Sequence, residues 1–376
     1  MITLKGKSSG DFSPIVGEVT LTSKPFYMRS QSIYVTDKLG MDSLGYKGCI
    51  TSGNKGSFYH PNHIYNVTNL EKLHNGDIVS IDKDGTILVL WENDSTQNCL
   101  FVTENCNCRC IMCPQPPKNN DSTWYIKQAN EILDIIKNRD ISDICITGGE
   151  PSTIGNNFFN ILRRCTLEHP NAYIAILTNG KNFAKDEYID KLKNINLHNV
   201  TFCISYQSEV DTLHDYIVGV NGSYNKTQKA IYNLARTGAM IEIRTVISKL
   251  NYKHLPSLAE HLYNYFPFCV HYAFMGMEIK GYADENKNEL LISPLEYKNE
   301  LKEAILILSN RGLNPSVYNL PLCCIDEEIR QFSCKSISSW KNSLLDKCSR
   351  CIKNNECAGF FTTSSILPID DIKPFI

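Results

Sequence analysis

The sequence carries almost no charge imbalance: 38 lysines and arginines stand against 40 aspartates and glutamates, a formal net charge of −2 over 376 residues. Because the two signs are interspersed, no bulk field recruits nucleic acid or a membrane surface, and the lack of a basic patch argues against an RNA partner. Also missing is any uninterrupted apolar run of about 18 residues, the length needed to cross a bilayer. The opening MITLKGKSSGDFSPIVGEV has no apolar core of the kind that directs export. These absences give the expectation of a cytoplasmic protein with no membrane and no nucleic-acid partner. Cysteine, by contrast, is abundant, at 16 residues. In a reducing compartment so many thiols are not a disulfide framework, and their clustering at 106–113 and 323–357 points to metal.

The length allows about two or three domains. Residues 1–97 are rich in Gly, Ser, Thr and Asn and contain β-like runs such as GEVTLTS and the hairpin-like GDIVSIDKDGTILVLWE, with DKDG as its turn. A small β domain is expected there. From Asn98 the rhythm changes: NCLFVT, DICIT, AYIAILT, VTFCISY, IEIRTVI and CVHYAF read as six short strands separated by five helix-like segments. That alternation predicts an α/β fold with a parallel sheet or barrel over 98–312, ending in the long helix PLEYKNELKEAILILSNRG. Residues 313–376 form a cysteine-rich tail.

In such folds chemistry gathers at the carboxyl ends of the strands. The stretch ENCNCRCIMCPQPP follows the first strand directly and contains Cys106, Cys110 and Cys113 in the spacing C-x3-C-x2-C. Three thiolates so spaced can hold a cubane whose fourth iron has no protein ligand and is open to a cofactor. With Cys108 added, the same loop would make a closed four-thiolate zinc site. The second strand runs into Gly148, Gly149, Glu150 and Pro151. Its glycines permit close backbone approach to a ligand, and its carboxylate can accept from an ammonium.

C-x3-C-x2-C followed one β/α unit later by GGEP resembles the radical S-adenosylmethionine (SAM) superfamily. The segments LFVTENCNCRCIMCPQPPK, HDYIVGVNGSY, VHYAFMGMEIKGYA and SISSWKNSLLDKCSRCIKNNECAGFF, together with MITLKGK and the GDIV hairpin, are similar to the maturase family HxsC of the His-Xaa-Ser peptide-modification system. The resemblance implies a partial (β/α)6 TIM-like radical SAM barrel with an N-terminal β domain and a C-terminal metal-binding extension. It implies a peptide-modifying radical SAM enzyme whose partners are a precursor peptide with His-Xaa-Ser repeats, a second radical SAM maturase of the same system, and a reductant such as flavodoxin or ferredoxin. Cys106, Cys110 and Cys113 would ligate a 4Fe-4S cluster, with SAM on the fourth iron and its amine held by Glu150 and the Gly148 and Gly149 backbone. Ser205 sits where superfamily members bind the cofactor, Arg244 would pair with the SAM carboxylate, and Thr178 and Asn179 match ribose-side residues. Each of these four also has an ordinary structural reading, as a strand-end hydroxyl, a partner of Glu242, or part of a turn. Met112 departs from the aromatic residue common before the last cluster cysteine, and Cys108 is an extra thiol read as a bystander.

In the tail, Cys348, Cys351 and Cys357 follow C-x2-C-x5-C, with Cys323 or Cys324 upstream to complete four ligands and Cys334 to spare. This is similar to the auxiliary-cluster regions of peptide-modifying radical SAM enzymes, though shorter, and zinc fits the same thiolates as a 4Fe-4S cluster does. Cys145, Cys203 and Cys269 lie in apolar strands and read as core; Cys49, Cys99 and Cys165 carry no signal. His214 and His271 sit near strand ends and read as satisfied structural histidines. Two other functions stay open: a radical SAM enzyme for a small metabolite or RNA, and a non-catalytic zinc-binding interaction protein.

Overall fold

The structure, a computed structural model, describes residues 2–335, 341–363 and 372–376. The SISSW stretch at 336–340, quoted above, lies outside them, as do residues 364–371 of the tail. The chain divides into two compact units, one of Met1–Val102, Asp121–Ile146 and Asn160–Ala172, the other of Thr103–Asn120, Thr147–Phe159 and Tyr173–Ile376.

In the first unit, strands β1 (Thr3–Lys5), β2 (Lys7–Ser8), β3 (Ile15–Thr20), β4 (Ser32–Thr36), β5 (Gly48–Thr51), β6 (His63–Tyr65), β7 (Ile78–Ile81) and β8 (Thr86–Trp91) form one sheet in the order β1-β8-β7-β3-β4-β5-β6-β2. Its two edge strands are consecutive in sequence. β1 pairs with β8 and β2 with β6, both antiparallel, so the continuous segment 3–8 joins the two ends of the sheet. Gly6, at the pivot, donates its N–H to Gly85 O at 2.9 Å, and a Cβ there would meet Val67 Cγ2 at 2.6 Å. The expected hairpin is β7 and β8, turning at Gly85 with φ 86°. Inward-facing Val19, Ile33, Ile50, Ile64, Val79, Ile81 and Ile87 fill the interior. Helix α1 (Thr123–Ile136) lies against β3 and buries Ala129, Ile132, Leu133 and Ile136, the i, i+3, i+4, i+7 stripe of an amphipathic helix. Strands β9 (Asn98–Phe101) and β10 (Asp143–Thr147) are sheet neighbours in this unit. Cys145, expected in the core, is only half-buried, because Ile144 and Ile146 on the opposite face of β10 take the packed side.

Helix α2 (Asn156–Glu168) precedes the main sheet of the second unit. There β11 (Tyr173–Thr178), α3 (Asp186–Leu192), β12 (Val200–Ser205), α4 (Asp211–Val218), α5 (Ser223–Ala235), β13 (Met240–Val246), α6 (Leu255–Tyr265) and β14 (His271–Met275) alternate as expected, except that α4 is an additional helix. β11 to β14 pair in parallel in sequence order. β12 is buried at five of its six positions, as a strand packed on both faces must be. After the short helices α7 (Tyr282–Glu285) and α8 (Lys287–Leu290) comes the long helix α9 (Lys298–Ser309). The parallel run then continues through β15 (Pro315–Tyr318) and β16 (Ser333–Cys334), strands too short to be predicted from pattern. A small ladder of β17 (Asn342–Ser343) and β18 (Phe360–Phe361) closes the tail. Among the described residues no helix is long and apolar enough to cross a membrane.

Candidate functional site

The cysteine loop is held by the GGE segment through backbone contacts. Gly149 N–H donates to Thr103 O and Glu150 N–H to Asn105 O, each at 2.8 Å. A Cβ on Gly148 would sit 2.5 Å from Thr103 O, and one on Gly149 would sit 2.4 Å from Asn105 O. The close approach that both glycines allow is therefore made to the cysteine loop itself. Further along the loop, Arg109 N–H donates to Val218 O and Ile111 N–H to Ile217 O, both at 3.0 Å, so α4 braces the same turn.

Cys106, Cys110 and Cys113 are half-buried free thiols on this loop, whereas Cys108 is 1% exposed. Cys106 Sγ accepts from Cys108 N at 3.4 Å and from Asn179 Nδ2 at 3.9 Å; Cys113 Sγ lies 3.0 Å from Gln115 O. The Cys106 thiol is pushed up, first by its hydrogen bond with Cys108 and then by burial. For Cys108 the bond with Cys106 acts downward, but the bond with Cys110 and burial outweigh it and push the thiol up to about 12. Burial likewise raises Cys113. Loading metal here must release protons. Among the described residues, no three His, Cys, Asp or Glu side chains are gathered closely enough to hold one metal ion. Three accessible thiols on a glycine-cradled loop, with N–H donors to sulfur, suit the donor set of a cluster, in which each thiolate binds a different iron.

Glu150 has no exposed surface. Its Oε1 accepts from Ser152 N at 3.1 Å, Ser152 Oγ at 2.6 Å and Thr178 Oγ1 at 2.7 Å, and Oε2 accepts from Asn179 N at 2.7 Å. The carboxylate expected to meet a ligand ammonium is thus first an internal anchor, tying the end of β10 to the end of β11. Oε2, with one bond, retains acceptor capacity. Thr178 and Asn179 belong to this group, and Asn179 Nδ2 also donates to Asn107 Oδ1 at 2.7 Å. Sequence reasoning missed Ser152, Asn107 and Lys181; Lys181, 7% exposed, donates from Nζ to Asn107 O at 2.6 Å. The signal for Lys181 was its place directly after LTNG at a strand's carboxyl end.

Ser205 and Arg244 form a separate group, opposite each other across β12 and β13. Ser205 Oγ accepts from Gln207 Nε2 at 2.6 Å. Arg244 Nε donates to Glu242 Oε1, whose other oxygen lies 2.8 Å from His271 Nδ1, and His271 Nε2 is 2.8 Å from Ser316 Oγ. Burial raises the Glu242 carboxyl, but the His271 hydrogen bond and the Arg244 charge outweigh it and hold it at about 2. His271 is thus a satisfied structural histidine. So is His214, 1% exposed, whose Nδ1 accepts from Gln207 N at 3.3 Å and whose imidazole burial pushes down to about 4.

In the tail, Cys323, Cys348, Cys351 and Cys357 line one small cavity with Pro321, Asn354 and Phe375. Cys357 Sγ accepts two backbone N–H bonds, from Leu322 at 3.4 Å and Gly359 at 3.3 Å. Cys324 instead packs in an apolar cluster with Phe360 and Ile372, and the Cys334 thiol lies 3.9 Å from Phe332 O. A hydrogen bond with Cys324 draws the Cys323 thiol down to about 7 and pushes Cys324 up.

Residues 100–262 match the model of the radical SAM superfamily. A GTP 3',8-cyclase of Desulforamulus reducens is 28% identical over 137 residues, 35% of this chain and 40% of that protein. An uncharacterized protein of Methanocaldococcus jannaschii is 30% identical over 166 residues, 43% of this chain and 57% of that protein. The chain therefore spans well under two thirds of either relative. Among solved structures, Streptococcus suis SuiB bound to S-adenosylmethionine aligns with a TM-score of 0.48 at 17% identity, over 58% of this chain and 49% of that one. A radical SAM methyltransferase from Sphaerobacter thermophilus aligns with a TM-score of 0.43 at 18% identity, over 64% and 73%. The cysteine loop, the GGE segment and the first strands after them all fall inside the matched span, so this chain carries a radical SAM superfamily domain over residues 100–262.

Proposed function

We propose that the protein is a cytoplasmic radical SAM enzyme that modifies a ribosomally made peptide, one with His-Xaa-Ser repeats. The observation that carries the reading is the interlock of the two motifs: the N–H groups of Gly149 and Glu150 donate to the carbonyls of Thr103 and Asn105, so the GGE segment and the three-cysteine loop are tied backbone to backbone. Cys106, Cys110 and Cys113 would hold the 4Fe-4S cluster, and Glu150 Oε2 and the adjoining Asn179 would face the amine end of SAM. Once reduced by an external one-electron donor, a cluster held there would supply the electron for reductive cleavage of SAM. The protein's part is to fix the thiols, position the cofactor and exclude water from the reacting centre. Ser205 and Arg244 would bind further along the cofactor, Arg244 with its guanidinium oriented by Glu242. Cys323, Cys348, Cys351 and Cys357 would bind a second metal group, a 4Fe-4S cluster for electron transfer. Its partners would be the precursor peptide, a second radical SAM maturase, and flavodoxin or ferredoxin as reductant.

The test is anaerobic reconstitution with iron and sulfide, reduction with dithionite, and measurement of 5'-deoxyadenosine with and without a His-Xaa-Ser repeat peptide. Stimulated release and a mass change in the peptide are expected. Brown protein that releases 5'-deoxyadenosine but leaves the peptide unchanged would favour a second reading, a small nucleotide substrate, which draws on the match to a GTP 3',8-cyclase. Colourless protein with bound zinc would overturn both.

A further inference from the structure

Lys181 is a buried ammonium with no part in the site as proposed. It is 7% exposed and follows Gly180, whose φ of 79° turns the chain away from the end of β11. Lys181 N–H donates to Asn179 Oδ1 at 3.1 Å, which fixes the turn. Among the described residues no carboxylate comes within ion-pairing distance of the ammonium, whose acceptor is the Asn107 main-chain carbonyl at 2.6 Å. Glu150, the buried carboxylate of the same site, accepts from neutral donors. A buried charge without a partner of opposite sign is costly, so a cation kept here points to negative charge that the loop itself acquires.

The acceptor is not an arbitrary carbonyl. Asn107 O belongs to the peptide unit that joins Asn107 to Cys108, and the N–H of that same unit donates to Cys106 Sγ at 3.4 Å. The C=O and N–H of one peptide are conjugated, so a cation on the oxygen draws electron density from the nitrogen and strengthens the bond to sulfur. Ammonium, peptide and thiol thus form one hydrogen-bonded line. Asn107 is held by its side chain as well: Oδ1 accepts from Asn179 Nδ2 at 2.7 Å, and Nδ2 donates to Asn182 Oδ1 at 3.4 Å. The stretch 179–182 therefore grips the residue that follows Cys106 at both its side chain and its carbonyl.

We infer that Lys181 is a positioning residue that tunes the cysteine loop through this peptide, its charge offsetting that of the thiolates and making a cluster bound to them easier to reduce. Hydrogen bonds to the sulfurs and the net charge around them set the potential of such a cluster. The electron comes from an external one-electron donor, and Lys181 neither gains nor loses a proton. The inference rests on the cluster reading of Cys106, Cys110 and Cys113 and not on the identity of the substrate. The test is an anaerobic potentiometric titration of the reconstituted full chain, followed by the electron paramagnetic resonance signal that is missing when all three of those cysteines are alanine. Lys181→Met should cut the reduced share at a fixed potential about tenfold, a fall in midpoint of about 59 mV for one electron. Lys181→Gln, a neutral donor, should behave likewise, whereas Lys181→Arg should stay near wild type. If neither neutral variant takes up iron, normal loading of Lys181→Arg supports the role of the charge. Loss of iron in all three would make the side chain a brace and overturn the inference, as would unchanged midpoints in the neutral variants. A wild-type chain that takes up no iron would overturn the cluster reading itself, whereas one that takes up iron without cleaving SAM would leave the midpoint comparison standing.

Discussion

Glu150→Gln strikes the centre of the proposed site. The wild-type carboxylate, with no exposed surface, accepts four hydrogen bonds of 2.6 to 3.1 Å, three on Oε1 and one on Oε2. Glutamine has the same shape but one donor group in place of an oxygen. Its least costly orientation keeps the carbonyl on the Ser152 and Thr178 side and turns Nε2 toward Asn179 N–H, donor against donor. One charge-assisted bond worth about 1.5–3 kcal/mol is then lost, and the other three weaken to the neutral range of roughly 0.5–1.5 kcal/mol each. Relief of the buried charge offsets part of this, leaving a net loss of about 2–4 kcal/mol. For a unit of this size, roughly 5–15 °C of melting temperature follows. SAM binding should fall about tenfold or more, because the variant loses the charge that would hold an ammonium. Iron content should stay normal, since the backbone bonds from Gly149 and residue 150 to the loop do not involve the side chain. Scanning calorimetry, iron analysis and equilibrium dialysis of SAM on the reconstituted protein make the comparison. A variant that melts within about 1 °C of wild type and binds SAM equally would show that neither the anchoring network nor the charge matters, and the argument would fail.

The remaining expectations concern the thiols, the loop and one buried carboxylate. Alanine at Cys106, Cys110 or Cys113 should abolish 5'-deoxyadenosine release, whereas Cys108→Ala should leave it intact because that thiol is buried and its backbone N–H still reaches Cys106 Sγ; equal loss in all four would overturn the ligand assignment. Gly149→Ala places a methyl group 2.4 Å from Asn105 O, so the loop must shift and iron uptake should drop, while a normal iron content would contradict the interlock. A variant with Cys106, Cys110 and Cys113 all changed to alanine should still bind iron in the tail, about four per chain for one 4Fe-4S cluster, and lose it on Cys323→Ala but not on Cys334→Ala. Bound zinc without iron in that variant would make the tail structural. Finally, the Glu242 carboxyl titrates at about 2 when folded against a usual 4.5, so its ionised form stabilises the fold above pH 4.5, and that contribution is lost as pH falls toward 2. Urea midpoints of wild type and Glu242→Gln should differ at pH 6 and converge near pH 2; parallel curves would refute the pairing.

What was readable in sequence was local. The six apolar strands of the α/β region were visible because each is a short run that buries apolar side chains, and the domain signature because its thiols lie within eight residues of one another and its two glycines adjoin Glu150 one β/α unit later. β15 and β16 escaped notice: one starts on a proline, the other is two residues long, and both exist through pairing with a strand already in place. Likewise nothing local marks Gly6 as the point where a sheet closes, since the requirement comes from Val67 and Tyr65, some sixty residues away. Cys323 and Cys324 are chemically identical neighbours, and only the fold leaves one half-buried on the cavity with Cys348, Cys351 and Cys357 and the other with no exposed surface inside the apolar cluster against which both pack. Glu150 shows the division most clearly. Its sequence context announced a carboxylate at a strand end beside two glycines, but its donors come from Ser152, Thr178 and Asn179. The glycines' close neighbours are the carbonyls of Thr103 and Asn105. A residue's type sets which bonds it can make, while its partners are set by which distant segments the core brings within 3 Å of it, and that is decided only when the whole chain packs.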